Sequence, residues 1–273
     1  MKWRAGWGRA GAAALACLGA SMAMAQTPCG EAVPCAVAGG EYRITGVQGA
    51  RGVFVWFHGY RSSAAEQIAR RPLTQAVTDR GLAFAAVQGL AGTWAHPNAV
   101  SRARDETAFV EHVLDDLAAR YGFGPDQVIL GGFSQGASMA YYAACDLGPR
   151  AAGVVIVSGS FWSPIPDHCA PGFPPLVHVH GTADKTFPLE GRAIGGAHRQ
   201  GDARAGLAML ARSTGCGPAR SPLPGPEAGV PAPGLQCSVM PDCARGDLTF
   251  CLHEGGHAVD PEMVAAALAA LGR

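Results

Sequence analysis

The sequence predicts an α/β fold in which a mostly parallel central sheet carries helices on both of its faces. Two observations predict it. Short apolar runs that are typical of strands alternate along the chain with segments of helical spacing, an order that favours parallel strands. In addition, the run GVFVWF at 52–57 is apolar at nearly every position, as is typical of a strand covered on both faces.

The individual elements can be assigned in chain order. Ser62 or Ser63 offers an N-cap for a helix that Gly81 would end, and Phe109 and Val113 belong to the apolar stripe of an amphipathic helix. A segment rich in Ala and Met after Ser134 predicts another helix. The remaining assignments follow the same criteria. Helices are predicted at 64–79, 104–121, 203–212 and 261–271, and strands at 41–47, 52–57, 82–87, 127–130, 151–157, 175–179 and 247–252.

The beginning of the chain has the pattern of a signal peptide. Basic residues at positions 2, 4 and 9 precede an apolar run, and the small-residue site at 23–25 predicts cleavage after Ala25. The apolar run is shorter than the roughly 20 residues that span a membrane, and no later stretch is long and apolar enough. We therefore expect residues 1–25 to be removed, residues 26–273 to form one α/β domain, and the protein to be secreted, extracellular or periplasmic.

The charge balance argues against a nucleic-acid partner. The chain has 21 basic and 21 acidic residues, and loss of the three basic residues of the signal peptide leaves 18 against 21, a net charge near −3. Nucleic-acid binding requires a basic surface, which this composition does not offer. We expect a monomer that acts on a small or oligomeric molecule and does not insert stably into membranes.

The cysteine count indicates disulfide bonds. Eight cysteines remain once Cys17 is removed with the signal peptide, and an even number in an exported chain favours disulfides over metal thiolates. The pair Cys29–Cys35 closes a short loop, and we further predict Cys145–Cys169, Cys216–Cys243 and Cys237–Cys251. Residues 217–234 contain six prolines, so we expect a surface loop without a regular element there.

Three polar motifs follow predicted strands and together indicate a catalytic triad. Gly132-Phe133-Ser134-Gln135-Gly136 matches the G-x-S-x-G nucleophile elbow, Asp184 lies in HGTAD and His257 lies in HEGGH. Strand ends of a parallel sheet meet at one edge, and the order serine, acid, histidine is that of α/β-hydrolases. A serine hydroxyl needs a base that is itself oriented by a carboxylate. We therefore predict Ser134 as nucleophile, His257 as base and Asp184 as acid.

Backbone N–H groups are expected to bind the oxyanion. One would come from Gln135, directly after the nucleophile, and the second from the loop after 52–57, where Tyr60 is favoured over Gly59. His58 is expected to support that loop.

No cofactor or metal is expected. His178 and His180 alternate on one strand face but lack a third ligand at suitable spacing. HEGGH also matches the zinc string H-E-x-x-H, which requires both histidines on one helical face, and the two glycines make a poor helix.

The chain resembles the secreted polyhydroxybutyrate depolymerase-like esterases, a family that includes feruloyl and acetylxylan esterases. The resemblance covers about residues 50–260 and rests on FHGY, on GTW at 92–94, on GFSQGASMA, on HGTADKTFP and on EGGH. It implies the α/β-hydrolase fold, the same triad, and a substrate-binding role for Trp94. The chain departs from the family at Ala258-Val259, where a tryptophan often follows the histidine, and we expect no separate polymer-binding domain.

These observations predict a secreted serine esterase. It would hydrolyse 3-hydroxybutyrate oligomers or polyester, or feruloyl or acetyl esters, through an acyl-enzyme. GFSQG also occurs in acyl-protein thioesterases and small carboxylesterases, so both stay open as alternatives, as do a non-catalytic binding protein of this fold and a zinc hydrolase.

Overall fold

The computed structural model describes residues 1–2 and 28–273. Most of the predicted signal peptide, with Cys17 and the cleavage site after Ala25, lies outside the described residues. The strands are β1 (Cys35–Val37), β2 (Gly40–Thr45), β3 (Val53–Phe57), β4 (Ala83–Val87), β5 (Val128–Phe133), β6 (Gly153–Val157), β7 (Leu176–Gly181), β8 (Ala193–Ile194), β9 (His198–Arg199), β10 (Arg220–Pro224), β11 (Gln236–Met240) and β12 (Leu248–His253). The helices are α1 (Ala64–Ala69), α2 (Arg71–Thr78), α3 (Glu106–Tyr121), α4 (Gln135–Leu147), α5 (Ala203–Thr214) and α6 (Pro261–Ala270).

Ten of these strands form one sheet in the order β1-β2-β4-β3-β5-β6-β7-β12-β11-β10. The six central strands, from β4 to β12, pair in parallel, and the pairs at both ends of the sheet are antiparallel. Strands β8 and β9 form a separate hairpin. The predicted fold class, a mostly parallel sheet within an α/β arrangement, is confirmed.

The alternation of side chains along each strand divides the core into two layers. In β3, Val53, Val55 and Phe57 pack with buried residues of α3, α4 and α5, while Phe54 and Trp56 pack with residues of α1, α2 and α6. All five side chains are buried, which explains why this strand has no polar position. Helices therefore cover both faces of the sheet.

The single helix predicted at 64–79 is instead two helices. Helix α1 begins with a capping box, in which Ser63 and Glu66 exchange side-chain and backbone hydrogen bonds, and it ends at Ala69. Pro72 has no N–H for a helical bond and its ring crowds the preceding turn, so a new helix begins at Arg71 with Pro72 in its first turn. The physical reason for the correction is this proline.

The segment 217–234 is also more regular than expected. It contains β10, an edge strand that pairs only with β11, and the register between Arg220 and Leu223 is shifted. Proline is tolerated on an edge strand because its missing N–H need not face a partner. Strand β11, which was not predicted, bridges this edge to β12.

All four predicted disulfides are confirmed: Cys29–Cys35, Cys145–Cys169, Cys216–Cys243 and Cys237–Cys251. The last joins directly opposed residues of β11 and β12, and Cys145–Cys169 ties α4 to the loop between β6 and β7. Four disulfides are consistent with an extracellular or periplasmic location. Within residues 28–273, no helix has the length and apolarity to cross a membrane.

The carboxyl ends of four parallel strands position the site. Strands β3, β5, β7 and β12 end at Phe57, Phe133, Gly181 and His253, and the candidate motifs follow these residues. Because β7 and β12 are neighbours, the loops that carry the predicted acid and histidine leave the sheet side by side.

We predict that the double variant Cys145→Ala/Cys169→Ala loses about 3 kcal/mol of its free energy of unfolding, since this bridge closes a loop of 24 residues in the unfolded chain. Urea unfolding measures the change. As a control, Cys29→Ala/Cys35→Ala opens a loop of only six residues and is expected to lose about 2 kcal/mol. An unchanged urea midpoint in the first variant would contradict the prediction.

Candidate active site

Ser134 occupies a strained turn between β5 and α4. Its φ is 58° and its ψ is −124°, a combination that side-chain-bearing residues rarely adopt. The turn is held by the Ser134 N–H, which donates to Val157 O at 3.0 Å, and by Ser138 N–H, which donates to Ser134 O at 3.1 Å. The backbone of Ser134 is therefore strained, and this strained turn is what presents its hydroxyl beyond the end of β5.

The glycines of the G-x-S-x-G string are required by close backbone approach. A Cβ on Gly136 would overlap the carbonyl oxygens of Phe57 and His58, and a Cβ on Gly132 would overlap the Gly136 carbonyl. Gly59 approaches from the opposite side, since a Cβ there would lie 3.4 Å from the Ser134 Cβ. The string thus lets α4 dock against the end of β3.

Ser134, His257 and Asp184 form one continuous hydrogen-bonded chain. The Ser134 Oγ lies 2.9 Å from His257 Nε2, and His257 Nδ1 lies 2.7 Å from Asp184 Oδ2. Because an ionised carboxylate only accepts, Nδ1 carries the proton and Nε2 of the neutral imidazole accepts from the serine hydroxyl. The structure therefore brings the three predicted residues together with the base oriented towards the nucleophile.

The Asp184 carboxylate is buried and fully engaged. Its Oδ1 accepts from the N–H groups of Thr186 at 2.9 Å and Phe187 at 2.8 Å, while its Oδ2 faces His257. Burial works against the charged form, but hydrogen bonds from the His257 imidazole and the Phe187 N–H outweigh it and lower the pKa of the carboxyl. Asp184 is thus ionised at neutral pH.

Backbone hydrogen bonds join the loops that carry Asp184 and His257. Thr182 N–H donates to His253 O at 2.8 Å, and Ala183 N–H donates to Gly255 O at 3.1 Å. The Phe133 ring packs against the His257 imidazole, with 4.5 Å between ring centroids. Residues 253–257 form no helix, so the histidines of HEGGH do not share a helical face. In the described part of the chain, no group of three or more His, Cys, Asp or Glu side chains could hold a metal.

The two residues predicted to supply the oxyanion donors belong to different segments near Ser134. Gln135 is the first residue of α4, where a backbone N–H has no intrahelical acceptor. Its side chain is clamped, since Oε1 accepts from Thr93 Oγ1 at 2.9 Å. Tyr60 follows Gly59 on the opposing loop, and both Tyr60 and Gln135 line the cavity in front of Ser134. The oxyanion role of these N–H groups stays a prediction.

Trp94 does not line the cavity, which corrects the role expected for it. The side chain is fully buried, its Nε1–H donates to His58 O at 2.8 Å, and its ring meets Phe57 edge-on. A buried tryptophan needs an acceptor for its ring N–H, and here the His58 carbonyl oxygen provides it. Trp94 therefore supports the 58–60 loop from below.

His58 has the supporting role that the sequence suggested. Its Nδ1–H donates to Gly59 O at 2.8 Å and its Nε2 accepts from Gly89 N–H at 3.0 Å. The side chain is fully buried, and burial lowers its pKa, so the imidazole remains neutral. It joins the ends of β3 and β4.

A cavity of about 480 Å³ opens in front of Ser134. Its wall includes Trp162, Phe187, Arg192, Ile194 and Gln200, besides Tyr60 and Gln135. The residues from 186 to 200 were not identified from the sequence. Thr186 and Phe187 belong to the HGTADKTFP string, which could have indicated them, whereas the β8–β9 hairpin carries no comparable motif.

Comparison with known proteins identifies the fold. Residues 99–194, which contain Ser134 and Asp184, match a family model described as Phospholipase/Carboxylesterase. The acetyl xylan esterase from Aspergillus awamori has a TM-score of 0.64 at 14% identity and covers 85% of this chain and 93% of its own. The Bacillus cereus carboxylesterase has a TM-score of 0.56 at 15% identity, with 85% and 92% covered. The chain has the α/β-hydrolase fold.

One curated protein resembles this chain in sequence. It is named "Putative esterase NocK", comes from Nocardia uniformis subsp. tsuyamanensis, and is 33% identical over 138 residues. The match takes in 49% of this chain and 40% of that protein, so the chain spans less than half the length of this relative.

We predict that Gly136→Ala disrupts the elbow, because the new methyl group must push α4 away from β3. The expected results are a loss of at least 2 kcal/mol in the free energy of unfolding and a large loss of Ser134 reactivity. Gly124→Ala, shortly before β5, is a matched control, since the nearest atom to its Cβ would be Gln127 Oε1 at 3.9 Å. Thermal unfolding of both variants measures the difference, and equal melting temperatures would refute it.

Proposed function

We propose that this protein is a serine hydrolase that cleaves carboxylic esters through an acyl-enzyme. The observation that carries the proposal is the hydrogen-bonded chain Ser134–His257–Asp184, with distances of 2.9 and 2.7 Å, at the floor of an apolar cavity. The likeness to proteins named esterases and carboxylesterases supports ester bonds over other acyl bonds.

The first half-reaction transfers the acyl group to the enzyme. Ser134 Oγ attacks the ester carbonyl carbon while His257 Nε2 takes the hydroxyl proton, and Asp184 stabilises the imidazolium that forms. The carbonyl oxygen becomes an oxyanion, which the N–H groups of Gln135 and Tyr60 would bind. His257 then gives the proton to the departing alcohol as the tetrahedral intermediate collapses.

Water completes the cycle by the same route. His257 takes a proton from the water molecule as it attacks the acyl carbon, and returns that proton to Ser134 Oγ as the carboxylic acid leaves. His257 thus moves one proton in each half-reaction: the serine proton leaves with the alcohol, and a proton from water restores the Ser134 hydroxyl. No metal or cofactor is part of this proposal.

Among the candidate esters, the cavity favours one that carries a carboxylate. Arg192 is the charged residue of the cavity wall, and its Nε donates to Thr186 O at 2.8 Å, which leaves its Nη atoms for another partner. Within residues 28–273, no carboxylate forms an ion pair with Arg192. Short oligomers of 3-hydroxybutyrate end in a carboxylate, whereas acetyl and methyl feruloyl esters are neutral. We therefore favour hydroxyalkanoate oligomers as substrates.

The proposed site of action is outside the cytoplasm. The four disulfides support it, since such bonds persist in oxidising compartments. The signal peptide inferred at 1–25 would provide the export route.

We predict that Ser134→Ala lowers kcat for p-nitrophenyl butyrate by about four orders of magnitude or more, because the nucleophile is lost. The melting temperature should change little, since the hydroxyl is half-buried. A fluorophosphonate should label Ser134 of the unmodified protein, as read by peptide mass. Ser101→Ala, which also lines the cavity, is the matched control and should keep its activity. Wild-type turnover by Ser134→Ala would eliminate the mechanism.

We predict that Arg192→Gln lowers kcat/KM for the 3-hydroxybutyrate trimer by about threefold to fivefold, the range expected for an exposed ion pair. The trimer methyl ester has no terminal charge, so its hydrolysis should not change. Lys185→Gln removes a nearby exposed cation that does not line the cavity and serves as the control. A loss of the same size on both substrates would contradict recognition of the carboxylate.

A further inference from the structure

A second chain of hydrogen bonds lies beneath the first. Tyr141 Oη is 2.8 Å from His178 Nδ1, His178 Nε2 is 3.0 Å from His180 Nδ1, and His180 Nε2 is 2.7 Å from Phe187 O. Both imidazoles are fully buried and Tyr141 is nearly so. The chain runs from α4 through β7 to the loop that holds Asp184.

Only one arrangement of protons satisfies all three bonds with neutral rings. Phe187 O can only accept, so His180 Nε2 carries a proton and His180 Nδ1 accepts. His178 Nε2 must then donate, which leaves His178 Nδ1 to accept from the Tyr141 hydroxyl. Each bond therefore fixes the tautomer of the next ring.

The end of this chain touches the predicted catalytic acid in two ways. Phe187, whose carbonyl accepts from His180, gives its own N–H to Asp184 Oδ1 at 2.8 Å. His180 Nε2 also lies 3.7 Å from Asp184 Oδ2, the oxygen that accepts from His257. A protonated His180 would be a cation beside that oxygen and would compete with His257 for its charge.

We propose that Tyr141 and His178 are positioning residues that keep His180 neutral, so that the charge of Asp184 acts on His257 alone. This inference rests on the proposed function of the Ser134 site. Its physical basis is the donor at His178 Nε2, since a second proton on His180 Nδ1 would meet this N–H head-on.

The groups around His180 act on its pKa in opposite directions, so a restraint on its protonation has an effect. Asp184 and the Phe187 carbonyl favour its cationic form, whereas burial, His257 and His253 at the end of β12 disfavour it. Burial has the largest effect, and the pKa of His180 is lowered. Burial also lowers the pKa of His178 and raises that of Tyr141, in keeping with a chain of neutral groups.

The test is the pH profile of Tyr141→Phe. In the wild-type protein, a proton on His178 Nδ1 would make the Tyr141 hydroxyl an acceptor and cost its buried O–H the bond it donates to His178. Tyr141→Phe removes this cost, so His178 can turn an acceptor towards His180 Nδ1 more easily, His180 can bind a second proton and its pKa rises. On acidification, the variant therefore loses activity at a higher pH than the wild-type protein does. We expect the acid limb of kcat/KM to move up by about one pH unit, with kcat/KM near pH 8.5 within about threefold of the wild-type value.

Tyr142→Phe is the matched control, because it removes a buried hydroxyl from the next position of α4. That hydroxyl contacts Trp162 and not the His178 chain. Its pH profile should keep the wild-type shape. A shifted limb in Tyr141→Phe alone supports the proposal, whereas parallel profiles for all three proteins, or the same shift in Tyr142→Phe, overturn it.

A second variant covers the case in which Tyr141→Phe does not fold. His178→Gln keeps a polar side chain whose amide oxygen can face His180 Nδ1, so it should move the acid limb in the same direction, and an unmoved limb would overturn the proposal.

The wild-type protein separates this proposal from the proposed function. If it hydrolyses esters and reacts with fluorophosphonate, an unmoved limb concerns only Tyr141 and His178; if it does neither, the proposed function itself fails.

Discussion

The backbone of Ser134, held at φ 58° and ψ −124°, is the constraint on which the rest of the site depends. Such a conformation costs on the order of 1–3 kcal/mol and persists only where the surroundings enforce it. Here α4 is pressed onto the end of β3 at Gly136, and the Ser134 N–H is tied to β6 through Val157 O. The buried layers on both faces of the sheet hold these elements in register, so the strain is maintained by the core as a whole.

A buried charge is the second element that the fold must stabilise. Asp184 is almost inaccessible to water, yet three donors meet its two oxygens, and two of those donors are backbone N–H groups that cannot titrate. Hydrogen bonds to an ionised group are stronger than those between neutral groups, which offsets the loss of hydration. Because Thr186 and Phe187 supply these donors, the loop after β7 must keep one conformation for the acid to stay charged.

Much of the fold and of the candidate site could be predicted from the sequence, and the failures have physical causes. The central strands and the order of Ser134, Asp184 and His257 follow from local patterns and from the rule that parallel strands end at one edge. The even number of cysteines predicted disulfides, but among the pairs only Cys29–Cys35 had a reason in the sequence, the short loop that it closes. Two kinds of feature were predicted wrongly. The break before Pro72 was a local signal that the helical spacing of 64–79 overrode. The edge strand β10 depends on whether its prolines lie where no partner strand needs an N–H, which only the tertiary structure decides. Trp94 was misjudged because residue type does not reveal whether a ring faces a cavity or the core.

The segment from 186 to 200 joins substrate binding to the position of the acid. Thr186 and Phe187 offer their N–H groups to Asp184 and their side chains to the cavity wall. Thr186 O in turn accepts from Arg192 Nε at 2.8 Å and from Gln200 Nε2 at 3.3 Å, so residues on both sides of the β8–β9 hairpin converge on it. The wall of the cavity and the Asp184 carboxylate are therefore bound to the same two residues, Thr186 and Phe187. The shape of the cavity and the charge on Asp184 consequently depend on the same segment of chain. Local sequence patterns could not reveal this, because the spacing of the hydrogen-bonded residues 184, 186, 192 and 200 follows neither the helix nor the strand period.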